Sequence, residues 1–379
     1  MKFKTLWSAC AVVIGLAPLT AAAHDVGVGL QLLGDGKISR EPKVGYLFAC
    51  QTVFNGRGAE RIGPWAQNGV WKPDAKPNVK GAVDWPNATI TLTVEGAQRV
   101  VRSNGLPNHP TGLFPIDKAD PAYKFDRNPN AIAEQNVLLR IPAQPIASGR
   151  PSCAPMGMIG FALTGAAIFN ALDAVGRDAP AYEIQDVCSG HPERGGTYHY
   201  HDYSSCMIDA SGKAGRHSDL VGYALDGFGI FGPKGDRGQR MKNTDLDACH
   251  GHTHEIQWDG QRRPMYHYHF TDEYPYSIGC FNGTPIKAPP PSPVAPANLR
   301  PTIAPGPGQP VGGPQGQIGT GNARDQAALA AAAKELGVDV DTLLIAIGPP
   351  PPNFAQASRD LGILEARIRE VIQRARAGR

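Results

Sequence analysis

Tyr198-His199-Tyr200-His201 and Tyr266-His267-Tyr268-His269 are one tetrapeptide written twice, 68 residues apart. Chance places a single copy in about three of every ten thousand chains of this length, so two copies mark an internal duplication. The flanking sequence agrees. Ile159, Gly160, Phe161, Ala162, Leu163, Gly165, Ile168 and Phe169 line up with Val221, Gly222, Tyr223, Ala224, Leu225, Gly227, Ile230 and Phe231. Asp186, Cys188, Gly190 and His191 match Asp247, Cys249, Gly251 and His252, and Cys206 matches Cys280. Each half, 159–206 and 221–280, therefore holds a small-residue strand, an Asp-x-Cys-x-Gly-His turn, a His-x-His strand and a closing cysteine.

In a strand, side chains alternate between faces, so His199 and His201 share one face about 6.6 Å apart along the backbone while Tyr198 and Tyr200 share the other. Two imidazoles so placed can converge on one ion. His191 supplies a third donor in the first half, and His252 joins His267 and His269 in the second. Three neutral imidazoles suit Cu(II) or Zn(II), select against Mg and Ca, and leave a position open. The second half is richer, with His250 and His254 flanking His252. Asp226 stands where the first half has Thr164, in an apolar run, and is the candidate general base to a metal-bound water. His109, in the turn-rich stretch Ser103 to Pro110, is a further candidate ligand.

At these residues the sequence resembles the YHYH-domain family of exported proteins, over roughly Val83 to Gly283. The resemblance rests on Ser103 to His109, Asp186 to His191, Tyr198 to His201, Gly222 to Gly232, Asp247 to His254 and Tyr266 to Cys280. It supports a domain boundary and the importance of the motif, and implies no particular reaction.

Lys2 and Lys4 precede an apolar run from Leu6 to Leu19 and the small residues Ala21, Ala22 and Ala23, the pattern of a secretory signal over residues 1–23. The run is too short for a membrane span. A secreted or periplasmic protein follows, with His24 as the new first residue. Beyond the signal, Cys50, Cys153, Cys188, Cys206, Cys249 and Cys280 form an even set, which in an oxidising compartment favours disulfides. Six cysteines allow 15 pairings. The duplication favours Cys188 with Cys206 and Cys249 with Cys280, leaving Cys50 with Cys153, while thiolate ligands to a metal remain the competing role.

The remaining organisation is read from composition. The 379 residues are 41% hydrophobic and carry a formal charge of +3, enough apolar residues for a sizeable core and too little net charge to hold a phosphate backbone, so nucleic acid is not an expected partner. Short β-like runs such as Thr89 to Val94, Val137 to Ile141 and Met265 to Thr271 predict a mainly β fold with irregular loops. An N-terminal segment, 24–82, packs on or precedes the duplicated domain, 83–285. Residues 286–322 read as a Pro/Gly-rich linker. Residues 323–379 read as a small all-α module, itself duplicated, since Ala332, Leu336, Gly337 and Leu343 recur as Ala357, Leu361, Gly362 and Ile368. The leading functional expectation is an exported, disulfide-stabilised protein that binds Cu or Zn. Its rivals are a metal-dependent enzyme, hydrolase or copper oxidoreductase, on the same ligands, and a cell-surface interaction module with structural histidines. The helical module could dock a protein partner.

Overall fold

The structure, a computed structural model, describes residues 29–54, 56, 58, 59, 61–207, 215–290, 292–294, 323–338, 343, 347, 354–361 and 363–376. The expected signal, His24, most of the linker and Pro349 to Pro352 lie outside the described residues. No described helix is long and apolar enough to cross a membrane. The chain divides into two units, residues 1–305 and 306–379.

The first unit is mainly β. An antiparallel meander of β1 (Ile90–Glu95), β2 (Gln98–Ser103) and β3 (Val137–Pro142) forms one sheet. The duplicated region supplies β4 (Met158–Ala162), β5 (Ala167–Phe169), the one-turn helix α1 (Ala179–Tyr182), β6 (Gly190–Pro192) and β7 (Tyr198–Tyr200). Its second copy supplies β8 (Leu220–Ala224), β9 (Gly229–Phe231), β10 (Gly251–Trp258) and β11 (Gln261–His269). These eight strands form a single sheet in the order β6-β7-β5-β4-β8-β9-β11-β10.

That order reads the same from either edge once the repeats are superposed, so the sheet has an internal twofold axis between β4 and β8. The register locates it. Gly160 pairs with Ala224, Phe161 with Tyr223 and Ala162 with Gly222. Because Gly160 corresponds to Gly222 and Phe161 to Tyr223, the contact is self-complementary, like the isologous interface of a dimer fused into one chain. The two glycines are needed for the same reason on each side of the axis. A Cβ on Gly160 would lie 2.8 Å from the Tyr223 carbonyl oxygen and 3.0 Å from Ile230 Cδ1, and one on Gly222 would lie 2.8 Å from the Phe161 oxygen and 3.0 Å from Ile168 Cδ1. Any side chain there would push the central strands apart.

The parallel pairs β5–β7 and β9–β11 and the antiparallel pairs β6–β7 and β10–β11 complete each half. Both faces of β7 are covered, and Tyr198, Tyr200 and Tyr268 are fully buried with Phe228, Phe270 and Phe281. Each such phenylalanine contributes about 1.5–3 kcal/mol on removal from water. Disulfides join Cys50 to Cys153, Cys188 to Cys206 and Cys249 to Cys280. All six cysteines are thus oxidised, which removes thiolate ligation as a role for them.

The second unit is helical, with α2 (Ala323–Leu336), α3 (Phe354–Leu361) and α4 (Glu365–Arg376). Gly337, at φ 71°, ends α2 in the left-handed conformation, and the Val338 N–H donates to the Ala333 carbonyl. Ala332, Ala333, Leu343, Ile347, Phe354, Ala357, Ile368, Val371 and Ile372 make its core. Ala332, Leu343, Ala357 and Ile368, two from each copy of the sequence repeat, are thus among its buried residues.

Candidate metal centres

The register of β6 on β7 sets His191 directly opposite His199, and that of β10 on β11 sets His252 directly opposite His267. Directly opposed residues project from the same face, so each hairpin brings three imidazoles together. In the first half these are His191, His199 and His201, all buried. In the second they are His252, His267 and His269, joined by His217 and His254. The ligand atoms within each group lie within 4.8 Å of one another.

The orientation of the rings decides what the groups can do. His199 Nδ1 faces the Thr197 carbonyl at 3.0 Å, and His201 Nδ1 faces the carbonyl of Asn170. In the second group Nδ1 of His267 faces Met265 O at 3.0 Å, that of His269 faces Gly232 O at 2.7 Å, and that of His217 faces Ser218 O at 2.6 Å. His254 Nδ1 likewise faces Glu255 O at 3.1 Å. A carbonyl oxygen only accepts, so in each neutral ring the proton sits on Nδ1 and Nε2 carries a bare lone pair. These Nε2 atoms then converge. His199 and His201 approach at 3.1 Å, His252 stands 3.1 Å from both His267 and His269, and His217 is 3.2 Å from His269.

Two lone pairs cannot hydrogen-bond each other, and a cation placed between them would satisfy both. A tetrahedral ion with metal–nitrogen bonds of about 2.0–2.1 Å holds its donors about 3.3 Å apart, close to the spacings found. The carbonyl behind His199, His201, His217, His254, His267 and His269 is the outer partner that fixes a ligand histidine's tautomer.

Glu183, the residue after α1, enters the first group, with Oε2 3.4 Å from Nε2 of both His191 and His201. That oxygen and both ring nitrogens of His191 are buried without a hydrogen-bond partner among the described residues, as is His254 Nε2 in the second group. Phe169 stacks on the His199 ring at 3.9 Å and holds it in place. Four donors, three imidazoles and a carboxylate, thus line the first centre, and five imidazoles line the second.

Burial keeps the imidazoles neutral. It pushes His191 and His199 well below the ordinary histidine range, with the neighbouring imidazoles adding to the effect, and does the same to His267 and His269. His252 is lowered to about 4 and His250 to about 3, both mainly by desolvation. His201 is the exception. Burial lowers it too, but the Glu183 carboxylate beside it outweighs that and raises its pKa.

The sign of the pH dependence follows. A histidine with a depressed folded pKa contributes no pH dependence where both states are neutral. As pH falls through about 6.5, the unfolded chain gains protons that the folded chain refuses. The histidine contribution to the stability of the metal-free protein should therefore fall as pH drops below about 6.5 and go on falling below about pH 4, because most of these rings stay neutral there in the folded chain. His201 works in the opposite sense, and so do the buried carboxylates of Asp126, Asp178, Asp186, Asp202 and Asp226, which burial makes ready to take up protons in the folded chain over the same range. Urea unfolding of the metal-free protein and of its His250→Gln variant between pH 7.5 and 4 checks this: the protein should lose stability relative to the variant as pH falls, and a midpoint difference constant across that range would contradict it.

The tyrosine face is built differently. The Tyr198 hydroxyl donates to Asp186, whose carboxylate also accepts from the backbone N–H groups of Cys188 and Gly190. Tyr266 donates to Asp247, which accepts from Cys249 and Gly251. Each Asp-x-Cys-x-Gly-His turn is thus fastened to its own Tyr-His-Tyr-His strand, which sets the third histidine in position.

Three expected site residues fall elsewhere. Asp226 is on the tyrosine face. It accepts the Tyr268 hydroxyl at 2.6 Å and the backbone N–H of Gly283 and Phe228, so it is a buried structural carboxylate and not a base beside the imidazoles. Thr164, its counterpart, bonds Tyr200 at 2.9 Å, and His109 also reaches Tyr200, with Nε2 2.6 Å from the hydroxyl. His109 thus belongs to that face, beside the Cys188–Cys206 disulfide. His250 occupies a left-handed turn position at φ 72°, matching Ser189 at φ 56°, and its Nε2 pairs with the Thr271 hydroxyl at 3.0 Å. Conversely, Glu183 and His217 enter the centres from positions that no motif marked. The counterpart of Glu183 in the second copy is Thr244, and that of His217 in the first is Pro155, so the duplication concealed both.

Residues 138–244 match the family model described as YHYH protein. This span is narrower than the resemblance read from the motifs. It contains Glu183, His191, His199, His201 and His217, and ends before the β10–β11 hairpin. No curated protein and no solved structure matches the chain.

Proposed function

We propose that the protein is an exported carrier or store of transition-metal ions, Cu or Zn, holding one ion in each half of the duplicated domain. The observation that carries this reading is the convergence of Nε2 lone pairs whose Nδ1 protons are committed to backbone carbonyls. The ligands are His191, His199, His201 and Glu183 in the first centre, and His217, His252, His254, His267 and His269 in the second.

The sheet order supports two mononuclear sites. Four strands separate β7 from β11, which at about 4.8 Å per strand sets an upper limit of roughly 24 Å between the centres, lessened by curling of the sheet that brings Tyr203 and Phe270, just past the two strands, to 5.7 Å between ring centroids. Donor number supports binding over catalysis. Three imidazoles alone would leave a position for water or substrate, but Glu183 fills it in the first centre and His217 with His254 fill it in the second. Three disulfides suit an oxidising compartment outside the cytosol, where a metal has no competing thiol pool.

Calorimetric titration of the tag-free, metal-stripped protein with Zn(II) or Cu(II) tests the reading. It should show close to two ions bound per chain above pH 7, with uptake by the second centre persisting until pH falls toward about 4, where His252 takes up its proton. Less than one ion per chain at neutral pH would refute it.

A further inference from the structure

The repeats share a triad, His191, His199 and His201 in the first and His252, His267 and His269 in the second, and differ in what surrounds it. The first adds a single carboxylate, the half-buried Glu183, whose Oε2 is itself buried. The second adds two imidazoles, His217 and His254, both half-buried. The differences therefore fall on the donors themselves: Glu183 faces Thr244 in the alignment, His217 faces Pro155 and His254 faces Glu193.

We propose that the two centres take different metals, Zn(II) in the first and Cu(II) in the second, so that the loaded protein is heterometallic. This rests on the two-centre reading above. Zn(II) has a filled d shell and no geometric demand, accepts carboxylate oxygen beside imidazole, and is almost always four-coordinate where protein ligands close the site. Three imidazoles and a carboxylate match that requirement and leave a net charge of +1 on the buried centre. Cu(II) prefers tetragonal nitrogen sets of four close donors with a fifth more distant, and imidazole is among its strongest protein ligands. Five imidazoles exceed what a tetrahedral ion can use. Nε2 of His252, His267, His269 and His217 are linked by spacings of 3.1–3.2 Å, and His254 reaches the same point from the edge. The half-exposed histidines also keep the second centre open to exchange with solvent, whereas all three histidines of the first are at most 3% exposed.

The test is a competition. Full-length, disulfide-intact protein stripped of metal is given one equivalent each of Cu(II) and Zn(II), then desalted and analysed for both elements and by electron paramagnetic resonance. One copper and one zinc per chain are expected, the copper signal showing coupling to several nitrogens. Glu183→Gln should weaken zinc retention at least about tenfold. His254→Gln, at a half-buried position that does not disturb the core, should change the copper signal and leave zinc in place. Glu183→His should make the first centre all-imidazole and, given two equivalents of Cu(II) beside one of Zn(II), capture a second copper. Equal partition of both metals between the centres, or a copper signal altered by Glu183→Gln and not by His254→Gln, would overturn the assignment while leaving two-site binding intact. Retention of neither metal would overturn the assignment together with the reading beneath it.

Discussion

Replacing His267 by alanine is expected to remove one of the two bound ions and leave the other, and His199→Ala is expected to do the reverse. Both rings are almost wholly buried, both have Nδ1 held by a carbonyl two residues earlier in the chain, and both point Nε2 at the other ligands. A protein metal site is worth about 10–16 kcal/mol, so loss of one of four donors in the first centre or one of five in the second weakens binding by about 2–4 kcal/mol, on the order of a hundredfold in Kd. Because the centres lie in different halves of the sheet, the two losses should be independent and additive. Titration of each variant and of the double variant reads this directly. Loss of both ions from a single substitution that leaves the fold intact would mean one shared centre.

The second large effect concerns the N-terminal segment. Described residues before β1 form only two-residue strands, such as Leu47–Phe48 paired with Ile38–Ser39, and so bring little sheet of their own. They are fastened where the Cys50 N–H donates to the Ala154 carbonyl and the Cys50–Cys153 disulfide closes the longest covalent loop, spanning 103 residues. Loop-closure entropy makes that link worth about 4.7 kcal/mol, against about 3 kcal/mol for the 18-residue separation of Cys188 and Cys206. Replacing Cys50 and Cys153 together by serine should lower Tm by roughly 10–20 °C, more than removal of either other disulfide. Thermal unfolding of the three double variants gives the order, and the smallest loss at Cys50–Cys153 would contradict it.

The parts of this architecture that were legible in the chain are those fixed by local periodicity. Period-two alternation in Tyr-His-Tyr-His separates imidazoles from phenols without any tertiary knowledge, and the repeat correctly pairs Cys188 with Cys206 and Cys249 with Cys280. The strand order was not legible. The parallel pairing of β5 with β7 depends on a crossover through α1, and the twofold axis at Phe161 and Tyr223 appears only when the sheet is assembled. The same limit hid Glu183 and His217, which reach the centres through loops.

Asp226 shows how a sound local inference went astray. Its apolar neighbours do mark a buried carboxylate, and burial does push its pKa up. Its partner is Tyr268, however, and alternation along β11 puts Tyr268 opposite His267 and His269. Carrying the same period-two rule one strand further would have placed it. His250 misled for a related reason, since its turn position sends the ring toward Thr271 and away from the ligands on either side.

Anomalous diffraction from crystals of the metal-loaded protein, with data collected above and below the absorption edge of the bound metal, tests the central claim most directly. Two separate peaks should appear no more than roughly 24 Å apart, one among Nε2 of His191, His199 and His201 with Glu183, the other among Nε2 of His252, His267 and His269 with His217 and His254. A peak on the tyrosine face near Asp226 or His109, or no peak at either histidine cluster in crystals of loaded protein, would contradict the account.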